Sequence, residues 1–523
     1  MTQLILLFAL FFAAVVTTPL AERIGFPQPV VMTLFGGVLA VLPFVPNIAI
    51  EPDLILPLVL PPLIYASAQR SSFGYFKRNF RVILLLAVAL VLVTTAVVAA
   101  VLHWANAAVP VAAAVALGAL VSPPDPIAAN AVAGSVGMPR RLMGILETEG
   151  LFNDVTALVV YGLAVDAAVS GHFSSGQAVL RLILSAVLAV VLGVGLGWIS
   201  GRLMSLLDEP TLQVALSLLV PFAAYVAAEE LHGSGVLAVL VCALWINDRA
   251  VGADDVGFRL VGSAFWDVVE LLISGMAFGL IGLELAAVVE QVGRSWQHMV
   301  GDAAIVVGVV VGVRLLWLLG GGWLANWWDR RIGEREDATP LGWRESVVLW
   351  WSGMRGVASV ALALALPAAV PQRPELVLIA FAVVLFTLVV QGLTLPQLVK
   401  WLRLGRDEDA EDREERRLWF RATRAGLLRL KELAKAEELP EDLVERLRQR
   451  QTDLLARSRP DIYDEQQRAE FKDRVRRARE FRRVADEMLA ASRQEMQIAR
   501  LEPGADPEVV DRVIRRLDLR SER

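Results

Sequence analysis

Ser122-Pro-Pro-Asp125-Pro126 interrupts a stretch, residues 108–134, that is otherwise apolar and long enough to cross a bilayer. Three prolines in five residues argue against a continuous helix. Each removes a backbone donor, and its ring clashes with the preceding turn. A second interruption, Ser352-Gly-Met-Arg355-Gly356, falls in the apolar stretch 341–369 and sets two glycines around an arginine. Irregular backbone at membrane depth survives only where protein buries it or where it lines a water-filled cavity. Two such breaks, one in each half of the chain, are the sequence pattern of a secondary transporter built from inverted repeats.

Composition supports the membrane reading. The chain has 523 residues, 56% of them hydrophobic, and a mean hydropathy of +0.54. Nearly all apolar runs lie in residues 1–404. Thirteen segments there are candidate spans: 3–19, 28–46, 53–69, 80–104, 108–134, 140–169, 177–206, 210–231, 233–247, 260–288, 298–328, 341–369 and 374–402. The first carries no basic residues before its apolar stretch, so it reads as a membrane helix rather than a cleaved signal. The expected fold is an all-α polytopic membrane protein. Spans 1–6 and 8–13 form two inverted repeats with the fifth and twelfth broken, and span 7 connects them.

Loop charge orients this arrangement. With the N-terminus outside, the cytoplasmic connections hold Arg23, Arg70, Lys77, Arg78, Arg81, Arg140, Arg141, Arg202, Arg249, Arg259, Arg330, Arg331, Arg335 and Arg344. The outer connections hold Arg181, Arg294 and Arg373. This asymmetry follows the positive-inside rule and places residues 405–523, rich in Arg and Glu, in the cytoplasm. One cysteine, Cys242, excludes an intrachain disulfide framework and a cysteine-rich metal site.

Charge inside the apolar segments marks the site. Glu149-Gly-Leu-Phe-Asn153-Asp154 lies within the sixth span. A carboxylate in hydrocarbon costs roughly 2.5–3.5 kcal/mol on insertion scales, so such residues point to an ion or proton path. Glu149 precedes Asn153 by four residues and shares its helical face. Asp125 sits in the first break, and Thr156 follows Asp154. Carboxylate, amide and backbone carbonyl oxygens suit a hard monovalent cation, with Asp154 and Asn153 its side-chain ligands. The same carboxylate can hold a proton, and competition between the two is what a coupled exchanger needs.

Arg355 is the expected counter-charge for Glu149 or Asp125. For Asp125 and Arg355, a static pair tying the two breaks together stands beside the coupling role. Glu284, in Leu280-Ile-Gly-Leu-Glu284, and Arg314 are expected to pair with each other. Glu229, Glu230 and His232 read as a solvated outer turn, and Trp323, Trp327 and Trp328 as an interfacial belt. The chain carries no G-x-x-x-x-G-K-[ST] phosphate loop and no T-V-G-Y-G filter, which speaks against an ATP-driven pump and a potassium channel.

These stretches resemble the sodium/proton exchangers of the NhaP/NHE type. The match runs through Ser122-Pro-Pro-Asp-Pro-Ile-Ala-Ala129, Glu149-Gly-Leu-Phe-Asn-Asp154, Phe265-Trp266 with Ile281-Gly-Leu-Glu284, Arg314-Leu-Leu-Trp317 and Trp351-Ser-Gly-Met-Arg-Gly-Val357. The resemblance implies a homodimer of thirteen-helix protomers, each with a mobile core that carries the ion like an elevator. It implies Asp154 as carrier, Asn153 as its support, Asp125 at the helix crossing and Glu149 paired with Arg355. An Asn-Asp pair implies the electroneutral branch, one cation for one proton. Two departures stand out: Pro124 and Gly150 replace the family's Thr and Ser, removing two oxygens from the expected shell. Backbone carbonyls freed by the prolines, Thr156 or water would replace them, and Na+, Li+ and K+ are all compatible.

Residues 405–523 read as a helical tail, with patterns over 414–433 and 466–501 and breaks at Pro440, Pro460 and Pro503. Leu427, Leu428, Leu430 and Leu433 suggest an apolar stripe. The tail is expected to stabilise the dimer or to regulate through an unidentified ligand, and its basic stretch 474–483 to touch anionic lipid. The expected partners are thus a second copy and membrane lipid, with no nucleic acid and no cofactor beyond the transported ions. Functionally the chain reads as a monovalent cation/proton antiporter. The alternative is a cation channel or ion-gated sensor that uses the same site without obligatory exchange.

Overall fold

The computed structural model describes residues 2–42, 52–70, 83–171, 175–250, 256–292, 296–332, 342–405, 408–437, 440–458, 465–499, 509, 510, 512 and 513. Among these residues the secondary structure is helical, with no strand. The chain divides into two compact units, Met1–Arg406 and Asp407–Arg523. Lys77, Arg78, Arg81, Arg294, Arg335, Pro460 and Pro503 lie outside the described residues. So do the side chains of Arg70, Arg181, Trp323, Trp327, Trp328, Arg249, Arg330 and Arg331.

The first unit opens with α1 (Thr2–Ile24), α2 (Gln28–Val41) and α3 (Pro52–Arg70). Next come α4 (Leu85–Ala105), α5 (Val111–Val121), α6 (Pro126–Val136), α7 (Arg140–Ser170) and α8 (Ser175–Met204). They are followed by α9 (Pro210–Glu230), α10 (Gly235–Ala250), α11 (Val256–Val292) and α12 (Trp296–Ile332). Last are α13 (Trp343–Trp351), α14 (Val357–Leu364) and α15 (Arg373–Leu402), the last containing a π-helical turn at Phe386–Gln391.

Proline and glycine set many of the boundaries. Pro27, Pro110 and Pro139 stand just before α2, α5 and α7, where a missing N–H costs nothing. Gly171 ends α7 in the left-handed region at φ 71°, its N–H bonded to the Ala167 carbonyl.

Among the described residues, nine helical stretches are long and apolar enough to cross a membrane. Gln28–Val41 and Gly235–Asp248 are apolar but shorter. The third and twelfth candidate spans fall in neither group. Pro57, Pro61 and Pro62 lie inside α3, and α13 and α14 are separate pieces of 9 and 8 residues. The chain is a multi-pass membrane protein.

Burial grades the helices from centre to rim. Most of the stretch Val111–Val132, which contains the first break, is buried, as is most of Arg373–Leu402. Ile183–Met204 and Ile5–Ile24 are mostly unburied. The less buried stretches are no less apolar, as expected of helices whose outer faces meet lipid. The central helix α5 packs against α4 and α7, with Ala113, Ala116, Leu117 and Leu120 fully buried.

The second unit contains α16 (Glu408–Ala436), α17 (Glu441–Ser458) and α18 (Glu465–Ala499). The first two pack against each other, with Gly426 facing Gln451. Leu427, Leu430 and Leu433 are half-buried at a spacing of three, whereas Leu428 points outward and is exposed. The stripe is therefore narrower than the sequence suggested, because the residue next to Leu427 is turned about 100° away.

Candidate functional site

Asp125 begins α6 as its cap. Its Oδ1 accepts from the N–H groups of Ile127 (2.8 Å) and Ala128 (3.4 Å), with Pro126 in the first helical position. Its Oδ2 accepts from Val357 N–H (3.2 Å), the first residue of α14. One carboxylate therefore caps two half-helices from different halves of the chain. Backbone adds a further tie, Asp125 N–H to Met354 O at 2.6 Å.

Arg355 serves the opposite polarity. Its guanidinium donates to the carbonyls of Val121 (2.9 Å) and Ser122 (3.1 Å), at the C-terminal end of α5, and to Gly353 O. Its backbone N–H donates to Thr387 Oγ1 (3.0 Å), in the π-helical turn of α15. A cation at helix C-termini and an anion at helix N-termini are each favoured by the peptide dipoles. The two breaks meet, and Asp125 and Arg355 each bond to backbone groups of both.

This corrects the expected pairings. Arg355 bonds to carbonyls and not to Glu149 or Asp125, because the helix ends it faces leave those carbonyls without partners. Asp125 does tie the breaks together, but through backbone amides. Glu149 pairs instead with Arg314 on α12: Nη2 lies 2.9 Å from Oε2, and a second parallel bond joins Nη1 to Oε1. Arg314 is buried, 2% exposed, and also donates to Leu349 O on α13. The expected Arg314–Glu284 pair is absent, since the Arg314 fork is filled by Glu149. Glu284 lies elsewhere, at a small apolar cavity between α11 and α14.

Asn153 is fully buried, and its Nδ2 donates to Pro124 O (2.9 Å), fixing the first break against α7. Its Oδ1 has no hydrogen-bond partner among the described residues. Thr156 is turned away. Its hydroxyl donates back to Phe152 O (3.3 Å), and it does not line the cavity that Asp154 faces. Two residues along a helix is over half a turn, so Thr156 cannot share the direction of Asp154.

A cavity of about 40 Å³ lies between α3, α7 and the two breaks. Its walls include Asp125, Asp154, Gly150 and Ser359, with Ser67 contributed by α3. Asp154 makes no hydrogen bond or ion pair among the described residues. Pro126 covers Gly150 so closely that a Cβ there would meet its ring. Sequence reasoning missed Ser67 and Ser359. The available signal for Ser359 was a single hydroxyl in Val357-Ala-Ser359-Val-Ala-Leu, just past the second break.

An all-helical, multi-pass protein with a cavity at two helix breaks, faced by a carboxylate that is unpaired among the described residues, has the form of a membrane transporter. The chain belongs to the sodium/hydrogen exchanger family: residues 8–401 match the family described as sodium/hydrogen exchanger, transmembrane. An uncharacterized Na+/H+ exchanger of Mycobacterium tuberculosis is 33% identical over 465 residues, 85% of this chain and 82% of that one. The low-affinity Na+/H+ antiporter NhaS1 of Synechocystis is 30% identical over 448 residues, 83% of this chain and 80% of that one. The sodium, potassium, lithium and rubidium/H+ antiporter of Bacillus subtilis is 27% identical over 391 residues, 72% of this chain and 58% of its own. The fold is similar to that of the sodium proton antiporter MjNhaP1 from Methanocaldococcus jannaschii, with a TM-score of 0.59 at 19% identity. That likeness covers 77% of this chain and 100% of the other.

Proposed function

We propose that this chain exchanges a monovalent cation for a proton, one for one, with Asp154 as the shared carrier. One observation carries the reading: Asp154 is the cavity carboxylate left without a hydrogen bond or ion pair among the described residues. Glu149 is held by Arg314, and Asp125 and Arg355 are held by helix ends. Their formal charges cancel, so the site has one negative charge to give. A proton or a monovalent cation neutralises it equally. Asn153 supports the carrier by holding the first break, and Asp125 and Arg355 hold the crossing together.

Na+ is the favoured cation, in keeping with the names of the Mycobacterium and Synechocystis relatives. The Bacillus subtilis relative extends the range to potassium and lithium. The family resemblance supports thirteen spans in two inverted repeats, an N-terminus outside, a homodimer, and an elevator movement of the crossing with its carrier. Residues 1–404 would carry exchange, and residues 405–523, cytoplasmic, would stabilise the dimer or regulate it. Truncation after Leu404 should then leave exchange in place and change its rate or the dimer fraction. Complete loss of exchange in a folded truncated protein would refute that division.

The test is flux in proteoliposomes. An imposed pH gradient should drive Na+ counterflow without an imposed voltage, and Asp154→Asn should abolish it while eluting as a monodisperse protein. Conductive current without proton coupling would establish a channel instead. Normal exchange by Asp154→Asn would remove the site assignment.

A further inference from the structure

We infer that the Ser359 hydroxyl is a ligand of the transported cation and sets its selectivity. The inference rests on Asp154 being the carrier. It starts from which oxygens at the crossing are still available. Pro124 and Gly150 offer no side-chain oxygen, and Thr156 is bonded back into its own helix. Five carbonyls of the two crossing segments are already engaged. Those of Val121, Ser122 and Gly353 accept from Arg355, that of Pro124 from Asn153, and that of Met354 from Asp125 N–H. The irregular backbone is thus largely consumed in holding the crossing.

Ser359 is different. It is 2% exposed, it lines the cavity that contains Asp154, and its hydroxyl has no hydrogen-bond partner among the described residues. A serine in a helix ordinarily bonds back to a carbonyl one turn earlier. Nearby Ser352 and Thr387 do so, to Val348 and Val383. One turn before Ser359 the chain is in the break at Arg355, outside the helix, and that back-bond is not made. The result is a desolvated hydroxyl on α14 lining the same cavity as a free carboxylate on α7.

Cavity size completes the argument. About 40 Å³ admits about three water-sized bodies, so a cation enters with few waters and the wall must replace the rest. Hard cations take hydroxyl oxygens readily, and discrimination among them depends on ligand number and cavity size. Ser359 supplies a ligand fixed on a rigid half-helix whose N-terminus Asp125 already neutralises. Losing it should penalise small, strongly hydrated Li+ and Na+ more than K+.

The experiment measures the apparent KM for Na+, Li+ and K+ in proteoliposomes for the parent, Ser359→Ala, Ser359→Thr and Asp154→Asn. In Ser359→Ala the KM for Na+ and Li+ should rise about tenfold, that for K+ should rise less, and the maximal rate at saturating cation should change little. Ser359→Thr, which keeps the hydroxyl, should bring the KM values back toward the parent. Unchanged KM ratios in Ser359→Ala, or a uniform fall in rate at constant KM, would overturn the inference. Ser359→Cys, nearly isosteric but without a hard oxygen, replaces the alanine variant if that protein is not monodisperse. Failure of the carrier reading is separately visible: Asp154→Asn would then continue to exchange whatever Ser359 does.

Discussion

Asp125 and Asp154 face one cavity, yet their oxygens are used in opposite ways. Asp125 accepts three backbone N–H groups, while Asp154 accepts none among the described residues. A carboxylate held by three donors is costly to protonate or to hand to a mobile ion, whereas one without donors is available to either. If H+ and Na+ compete for Asp154 alone, the apparent KM for Na+ should rise about tenfold per pH unit once protons dominate the site. Initial rates over a Na+ series between pH 5 and 9 check this, and a KM independent of pH would exclude a shared site. The Glu149–Arg314 pair is a different kind of charge. Removing one partner strands a buried ion, so Glu149→Gln should destabilise by about 3–5 kcal/mol. Thermal unfolding in detergent should show that loss, with partial recovery when Arg314→Met is added. The carboxylates themselves were legible in the sequence, because charge in an apolar run announces itself. The arginine partners were not. Helical periodicity places Glu149 on a face, but nothing local says which of two distant arginines meets that face.

At the scale of elements, the crossing depends on glycines where chains approach closely. Gly356 precedes α14 and has no side chain to cap it, so Asp125 supplies the cap from the other break. A Cβ at Gly356 would collide with that carboxylate. Gly356→Ala should therefore displace Asp125, free the Val357 N–H and cost about 1–3 kcal/mol, with transport lost. Two glycines of α7 give a contrast within one helix. A Cβ at Gly150 would strike the Pro126 ring, while one at Gly162 meets open space. Gly162→Ala should raise stability by about 0.5–1 kcal/mol, and Gly150→Ala should lower it. Melting temperatures of the two variants decide the matter, and equal shifts would contradict this packing. The breaks were visible as proline and glycine clusters. The prolines were read only as a break, although an aspartate followed by proline is also a cap and first-turn signal, and Asp125-Pro126 does start α6. Which helix end each charge would serve required the crossing itself, which brings together segments over two hundred residues apart.

Charge summed over the whole site determines how the transporter responds to voltage. Glu149 offsets Arg314, and Asp125 offsets Arg355, which leaves Asp154. If Asp154 is the carrier, the site bound to one proton or to one monovalent cation has the same charge in both loaded forms. A membrane potential then does equal and opposite work on the two half-cycles, and the exchange equilibrium should not depend on it. Had the site two free carboxylates exchanging two protons for one cation, each cycle would move one net charge. A potential of 100 mV would then contribute about 2.3 kcal/mol, which shifts the equilibrium cation gradient about fiftyfold. The measurement is the Na+ gradient at which flux reverses, in K+-free vesicles held at zero and at about 100 mV across the membrane by a gradient of a permeant anion. The same reversal gradient at both potentials is expected. A large displacement would mean that a second carboxylate titrates during the cycle. Asp125 is the group facing the cavity that could do so, and only by releasing the caps on α6 and α14.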